Sequence, residues 1–215
     1  MAEGRLLLVG GGGHCRSVLD CALRSGTYEK IGIVEREGAP EQDVLGVPIV
    51  GHDADLPRLL ADGWQYAAVT LGSVGHPSRR RALFHHLKTL GFQLPVIADP
   101  SAVISSHAKL SEGTFVGKRT VVNAGSVIGA CAILNTGAVI EHDCQIGSFC
   151  HISPGAVLCG SVQVEENAHV GAGAVVIQGI HIGQGAIIGA GSVIIRDVPG
   201  NCTIVGNPGR KMGGA

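Results

Sequence analysis

The stretch ILNTGAVIEHDCQIGSFCHISPGAVLCG, Ile133 to Gly160, carries an aliphatic residue at every sixth position: Leu134, Ile140, Ile146, Ile152 and Leu158. Two residues before each stands a small one: Ala132, Ala138, Cys144, Cys150 and Ala156. Followed outward, the phase holds from Ile104 to Pro199, and all sixteen aliphatic positions are Ile, Leu or Val. The partner position is small in thirteen of the sixteen hexads, with Val162, Ile180 and Val198 as exceptions. A helix would repeat near 3.6 residues and an ordinary strand every 2. A period of six with one large and one small residue points to a parallel β-helix. Three hexads then close one triangular coil, with the aliphatic residue inside and each coil stacked on the next. Glycine recurs right after the aliphatic position (Gly117, Gly129, Gly147, Gly171, Gly183, Gly189), where the corner begins.

Before residue 98 this phase is absent. Arg5 to Val9 (RLLLV) reads as a buried strand, followed by Gly10-Gly11-Gly12-Gly13-His14 and a helix from about Cys15 to Ser25. Lys30 to Val34 and Tyr66 to Leu71 read as further strands, and Pro77 to Leu90 as a second long helix. Such alternation builds a small parallel α/β sheet. The expected division is therefore a Rossmann-like domain over residues 1–97 and a β-helix domain over 98–215, joined near Leu94 to Ser101. A glycine-rich turn between strand and helix offers backbone N–H groups and the positive end of a helix dipole to a phosphate. His14 stands where a strict dinucleotide fingerprint has its third glycine, so a mononucleotide or nucleotide-sugar diphosphate fits better than NAD.

Composition narrows the function classes. The 34 glycines and few aromatic residues (Phe 4, Tyr 2, Trp 1) suit a narrow prism. A formal net charge of −1 implies no nucleic-acid partner. The seven cysteines lack zinc-like spacing, and Cys144 and Cys150 fall on the small inward position, so they read as packing residues in a cytoplasmic protein. No apolar run approaches a membrane span.

Chemistry interrupts the repeat at Glu141-His142-Asp143. His142 is the third residue of its hexad, hence at a corner, with Ala124 one coil below and Gly160 one coil above. Small neighbours leave room around an imidazole that can take a proton near neutral pH. A carboxylate on one ring nitrogen would fix the tautomer, and either Glu141 or Asp143 could supply it. His151 and His169 are three hexads apart, one full coil, and so stack on one outer face. A zinc site between them would lack an evident third ligand.

With the GGGGH turn, the IADPSAVIS lead into the repeat, the Ile133–Gly160 segment and the closing IVGNPGRKM, the chain resembles bacterial nucleotide-sugar N-acetyltransferases and the sialic acid O-acetyltransferase group. That resemblance implies a left-handed β-helix, whereas the general crossover rule would give a right-handed one. It also implies a homotrimer that uses acetyl-CoA and needs no metal. It casts His142 as the base, with Asp143 and Asn135 assisting, His151 at the acetyl thioester and the Gly160 N–H near its carbonyl. Ala172 and Ala190 would flank the pantetheine arm. The sugar diphosphate would sit on Gly12, Gly13 and His14, with Gly72 and Ser73 closing the site and Glu35-Arg36 reaching the ribose or base. Members acting on UDP-sugars often carry two aspartates at the place of Glu35-Arg36, so the base could be uracil, thymine or guanine. The expected substrate is a UDP-linked 4-amino sugar. The alternatives are O-acetylation of a nonulosonic acid and a non-enzymatic trimeric scaffold.

Overall fold

The computed structural model describes residues 3–38 and 43–212. Its N-terminal part holds β1 (Glu3–Val9), α1 (Gly13–Ser25), β2 (Tyr28–Val34), β3 (Asp43–Val44), β4 (Val47–Gly51), α2 (Leu56–Ala61), β5 (Tyr66–Val69) and α3 (Ser78–Leu90). The strands lie in the order β3-β4-β2-β1-β5, parallel except for the β3–β4 hairpin. Leu6, Leu7 and Leu8 are fully buried, because β1 is central and covered on both faces. The β3–β4 hairpin and α2 are additions to the sequence expectation. Leu45 and Gly46 turn that hairpin with positive φ, a short signal easily lost among loop residues.

The rest is a left-handed parallel β-helix. Its two-residue rungs form three faces. The first runs through Ile97–Ala98, Phe115–Val116, Ile133–Leu134, His151–Ile152, His169–Val170 and Ile187–Ile188. The second begins at Val103–Ile104 and the third at Lys109–Leu110. Each rung pairs in parallel with the rung three hexads on, for example Ile133 with His151 and His151 with His169. From Val116 to Ile194 every residue at the inward aliphatic position is at most 3% exposed. Val162, Ile180 and Val198, the larger residues at the small position, are also buried. The ladder starts at Ile97, where Ile97–Ala98 pairs with Phe115–Val116. Corners turn through left-handed backbone, some at glycine and some at Arg119, Cys131, Asp143, Phe149, Ser161 and Asn167.

The α/β domain sits on the first face and the corner before it. Phe84 of α3 meets Phe149 edge-on with centroids 5.4 Å apart. His14 of α1 meets Phe115 in the same way at 5.2 Å. Arg24 pairs with the buried Asp99 at 3.1 Å, and Lys118 pairs with Asp20. Among the described residues no helix is long and apolar enough to cross a membrane.

Candidate active site

The site residues fall into three groups. The first stands on the corner between the second and third faces. His142 Nδ1 and Asp143 Oδ2 are 2.9 Å apart, and both side chains are well exposed (63% and 65%). Asp143 can turn back to its neighbour because it adopts φ 60° at the corner. Its other oxygen lies over Gly125 one coil below, where any Cβ would collide with it. Glu141 is engaged elsewhere: its carboxylate accepts from Asn123 Nδ2 at 3.0 Å. Of the two acids the sequence offered, Asp143 is therefore the partner of His142. The imidazole covers Gly160, and a Cβ there would meet Cε1 and Nε2 at 2.6 Å each. Among the described residues the Gly160 N–H donates to no acceptor, while its carbonyl accepts from Gly179 at 2.9 Å. An imidazole nitrogen thus stands beside the Gly160 backbone, whose N–H is free among the described residues.

The second group lies between the domains, on the first face and the corner after it. His151 Nδ1 donates to the Ser73 carbonyl at 2.7 Å, and its Nε2 faces Asn135 Nδ2 at 3.2 Å. The Asn135 Oδ1 accepts from the Thr136 N–H at 2.8 Å, which sets the orientation of the amide. Asn135 therefore serves His151 within one chain and does not touch His142, which is on the next corner. An edge-on ring contact joins His151 to His169 at 5.0 Å. Gly72 brings the loop after β5 close to His14, since a Cβ on Gly72 would be 3.3 Å from the His14 Cβ. His14 is turned toward the prism, and its Nε2 is buried with no partner among the described residues. Exposed Ala172 and Ala190 follow on the same corner as Asn135, one coil apart, beside the open-sided Gly173 and Gly191. Among the described residues, no three or more His, Cys, Asp or Glu side chains are grouped to hold a metal.

Burial keeps two of these histidines neutral. His14 is pushed down to about 4 by desolvation, then by Arg80 and His151. His151 is also pushed down to about 4, chiefly by desolvation, against the opposing hydrogen bond to Ser73. As pH falls below 6.5 the unfolded chain takes up these protons first, and the native state holds out until about 4. Stability is therefore complete above pH 6.5 and lost as pH falls through this window, by up to about 1.4 kcal/mol per pH unit for each histidine. The urea midpoint is expected to drop between pH 7.5 and 5.0. An unchanged midpoint would show that the two rings are not buried neutral.

The third group lines a cavity of about 280 Å³ at the carboxyl ends of β1 and β2, bordered by Gly10, Glu35, Arg36, Asp53 and Arg79. Gly12 and Gly13 have open space around them, as a phosphate cradle requires, and Gly12 caps α1 without a side-chain bond. Glu35 is folded back onto the turn: one carboxylate oxygen accepts from Gly11 N–H and the other from Arg36 N–H at 2.9 Å. Asp53 and Arg79 were not among the sequence-derived site residues. Nothing in their local pattern marks them, because only the fold brings them to the ends of the strands.

Arg80 was also missed. It lies in an Arg79-Arg80-Arg81 run that reads as a solvated helix face. It is 1% exposed, donating to Ser73 Oγ at 2.8 Å and to the Cys131 carbonyl. Its spacing to the buried Phe84 and Leu87, four and seven residues on, was the available signal.

Comparison with known proteins places this arrangement. Residues 5–87 match the PglD N-terminal domain, 137–176 the hexapeptide repeat of succinyl-transferase and 161–196 the bacterial transferase hexapeptide (six repeats). A histidine-to-asparagine variant of perosamine N-acetyltransferase from Caulobacter crescentus, solved with CoA and GDP-perosamine, is 39% identical, with a TM-score of 0.92 and 99% of each chain covered. The acetyltransferase domain of PglB from Neisseria gonorrhoeae, solved with acetyl coenzyme A, is 36% identical, with a TM-score of 0.90 over 97% of this chain and 98% of that one. WeeI from Acinetobacter baumannii is 25% identical, with a TM-score of 0.85 over 98% of this chain and 100% of that one. With near-complete coverage at this identity, the chain belongs to the nucleotide-sugar N-acetyltransferase family of hexapeptide-repeat enzymes.

Proposed function

We propose that this protein transfers the acetyl group of acetyl-CoA to the amino group of a nucleotide-linked 4-amino-deoxy sugar. The observation that carries the reading is His142, oriented by Asp143 at 2.9 Å with its ring against Gly160, whose N–H has no acceptor among the described residues. The amine nitrogen attacks the thioester carbonyl, and an N–C bond forms. His142 takes the proton that the nitrogen sheds, and the Gly160 N–H donates to the developing oxyanion. The C–S bond then breaks, and the thiolate receives the proton from His142. The buried cysteines need not act as nucleophiles, since burial raises the thiols of Cys144 and Cys150 to about 11 and about 12.

Asn135, His151, Ala172 and Ala190 lie around one corner of the prism, and His142 and Gly160 lie on the next. This split supports a homotrimer in which the base corner of one protomer faces the His151 corner of another, with the pantetheine arm between them. The sugar diphosphate lies on Gly12 and Gly13, and the base enters the cavity beside Glu35, Arg36, Asp53 and Arg79. Guanine suits that lining: its N1–H and N2 amino group can donate to a carboxylate, and its O6 and N7 can accept from arginine. The 39% identical relative was solved with GDP-perosamine, which supports guanine over the uracil of the sequence expectation.

A thermal-shift panel of GDP-, UDP- and dTDP-sugars and free sialic acid, with and without acetyl-CoA, tests this reading. The expected result is a rise in Tm with GDP-sugars, additive with that from acetyl-CoA. A rise with UDP-sugars alone would restore uracil. A rise with sialic acid and no nucleotide would point to O-acetylation instead.

A further inference from the structure

Arg80 is a buried cation with no carboxylate bound to it among the described residues. Among the described residues its bonds go to the Ser73 hydroxyl and the Cys131 carbonyl, and its Nε has no partner. Burying a guanidinium without a counter-ion is costly, and a purely structural link between two neutral oxygens would be met more cheaply by an amide. The residues it reaches give it a role. Ser73 offers its hydroxyl to Arg80 and its carbonyl to His151 Nδ1 at 2.7 Å. A carbonyl only accepts, so the Nδ1 must carry the hydrogen. A neutral ring then has a bare Nε2, and this nitrogen is the one facing the Asn135 amide at 3.2 Å.

We infer that Arg80 is a positioning residue of the acetyl-transfer site, clamping Ser73 to the prism so that its carbonyl fixes His151 as the Nδ1–H tautomer with the Nε2 lone pair facing the substrate side. The inference rests on the proposed place of His151 beside the thioester, and it changes the chemistry available there. A bare Nε2 accepts a hydrogen bond, from Asn135 or from the incoming amine. It cannot donate to the thioester carbonyl, which leaves the Gly160 N–H as the oxyanion donor.

Charge works in the same direction. The titratable groups acting on His151 are His169 from the next rung and Arg80 from α3, and His151 in turn acts on His14 of α1. None is a carboxylate. Arg80 is a source of positive charge for all three histidines, and it opposes protonation of each. A second proton on this cluster would add a cation beside an unscreened one.

The test is nitrogen-15 NMR of the imidazoles in the full-length, histidine-labelled protein, alongside kcat as a function of pH. Wild type is expected to hold His151 as one tautomer, unprotonated down to about pH 4. Arg80→Met is expected to mix the tautomers, raise the His151 midpoint by about one pH unit and lower kcat about twofold at pH 5, where about half of the rings are then protonated, with recovery toward pH 7. Arg80→Lys keeps the charge without the fork, so it should hold the midpoint near wild type and still mix the tautomers. Ser73→Ala, which removes only the hydroxyl that Arg80 grips, should mix them as well, and it carries the test if Arg80→Met does not fold. An unchanged tautomer in folded Arg80→Met or Ser73→Ala overturns the inference, and so does an Arg80→Lys midpoint raised as far as that of Arg80→Met. His151→Gln separates the two claims: wild-type turnover in that variant removes His151 from the site and leaves the NMR result standing on its own.

Discussion

His142→Ala lowers kcat about 10²-fold or more, while the assembly and the binding of acetyl-CoA survive. The magnitude is that of losing a positioned general base. On the proposed mechanism it falls on kcat, because the imidazole would meet the reacting amine as its proton leaves, while the coenzyme arm is assigned to the separate small-residue corner of Ala172 and Ala190. Little stability is lost, since the ring is 63% exposed and packs mainly against Gly160. Steady-state kinetics with separate titration of acetyl-CoA checks this. Turnover within threefold of wild type at neutral pH would remove His142 from the mechanism. Gly160→Ala is a milder form of the same experiment. The added methyl would stand 2.6 Å from the imidazole, so the ring must swing off its bond to Asp143. A fall in kcat with an unchanged melting temperature is the expected outcome.

Ile146→Asp abolishes the soluble fold. Ile146 is 3% exposed, and its rung pairs with Val127–Ile128 below and Gln163–Val164 above. The prism interior around it is largely apolar, with Ile128, Ile140, Ile152 and Val164 in the same core, and the nearby buried Ser126 hydroxyl is already bonded to the Glu141 carbonyl and the Cys144 N–H. Losing the buried aliphatic side chain costs about 1.5–3 kcal/mol. An unpaired carboxylate in that place costs several kcal/mol more, or forces its own protonation. The sum is comparable with the whole stability of a typical domain, about 5–15 kcal/mol. Because each coil is the template for the next, damage in the middle of the ladder separates the coils above from those below. The check is the yield of soluble protein and its circular-dichroism melting curve. A variant with native melting would mean that position 146 does not point inward.

The relation between sequence and structure differs between the two halves. In the prism, one aliphatic position per hexad must point inward, so the phase read from residues alone named the buried set from Val116 to Ile194. It also placed His142 on a corner above Ala124 and below Gly160, since stacking by three hexads is pure arithmetic. What periodicity could not choose was the acid beside His142. That choice depends on backbone angles at one corner: φ 60° turns Asp143 back onto the ring, while Asn123 on the coil below holds Glu141 away.

In the α/β domain the sequence determined the strand–glycine turn–helix start, because a glycine-rich entry into a helix is a local property. The β3–β4 hairpin, and the places of Asp53, Arg79 and Arg80, depended on how strands and helices assemble. Tertiary structure alone decided the junction. His14 was expected at a phosphate, and the docking of α1 on Phe115 turns it toward the prism instead. Asn135 was expected to assist His142, and within one chain it lies one corner away, bonded to His151. Both depend on contacts between residues far apart in the chain, such as Ser73 with His151. Neither hexad phase nor local propensity carries information about contacts of that kind.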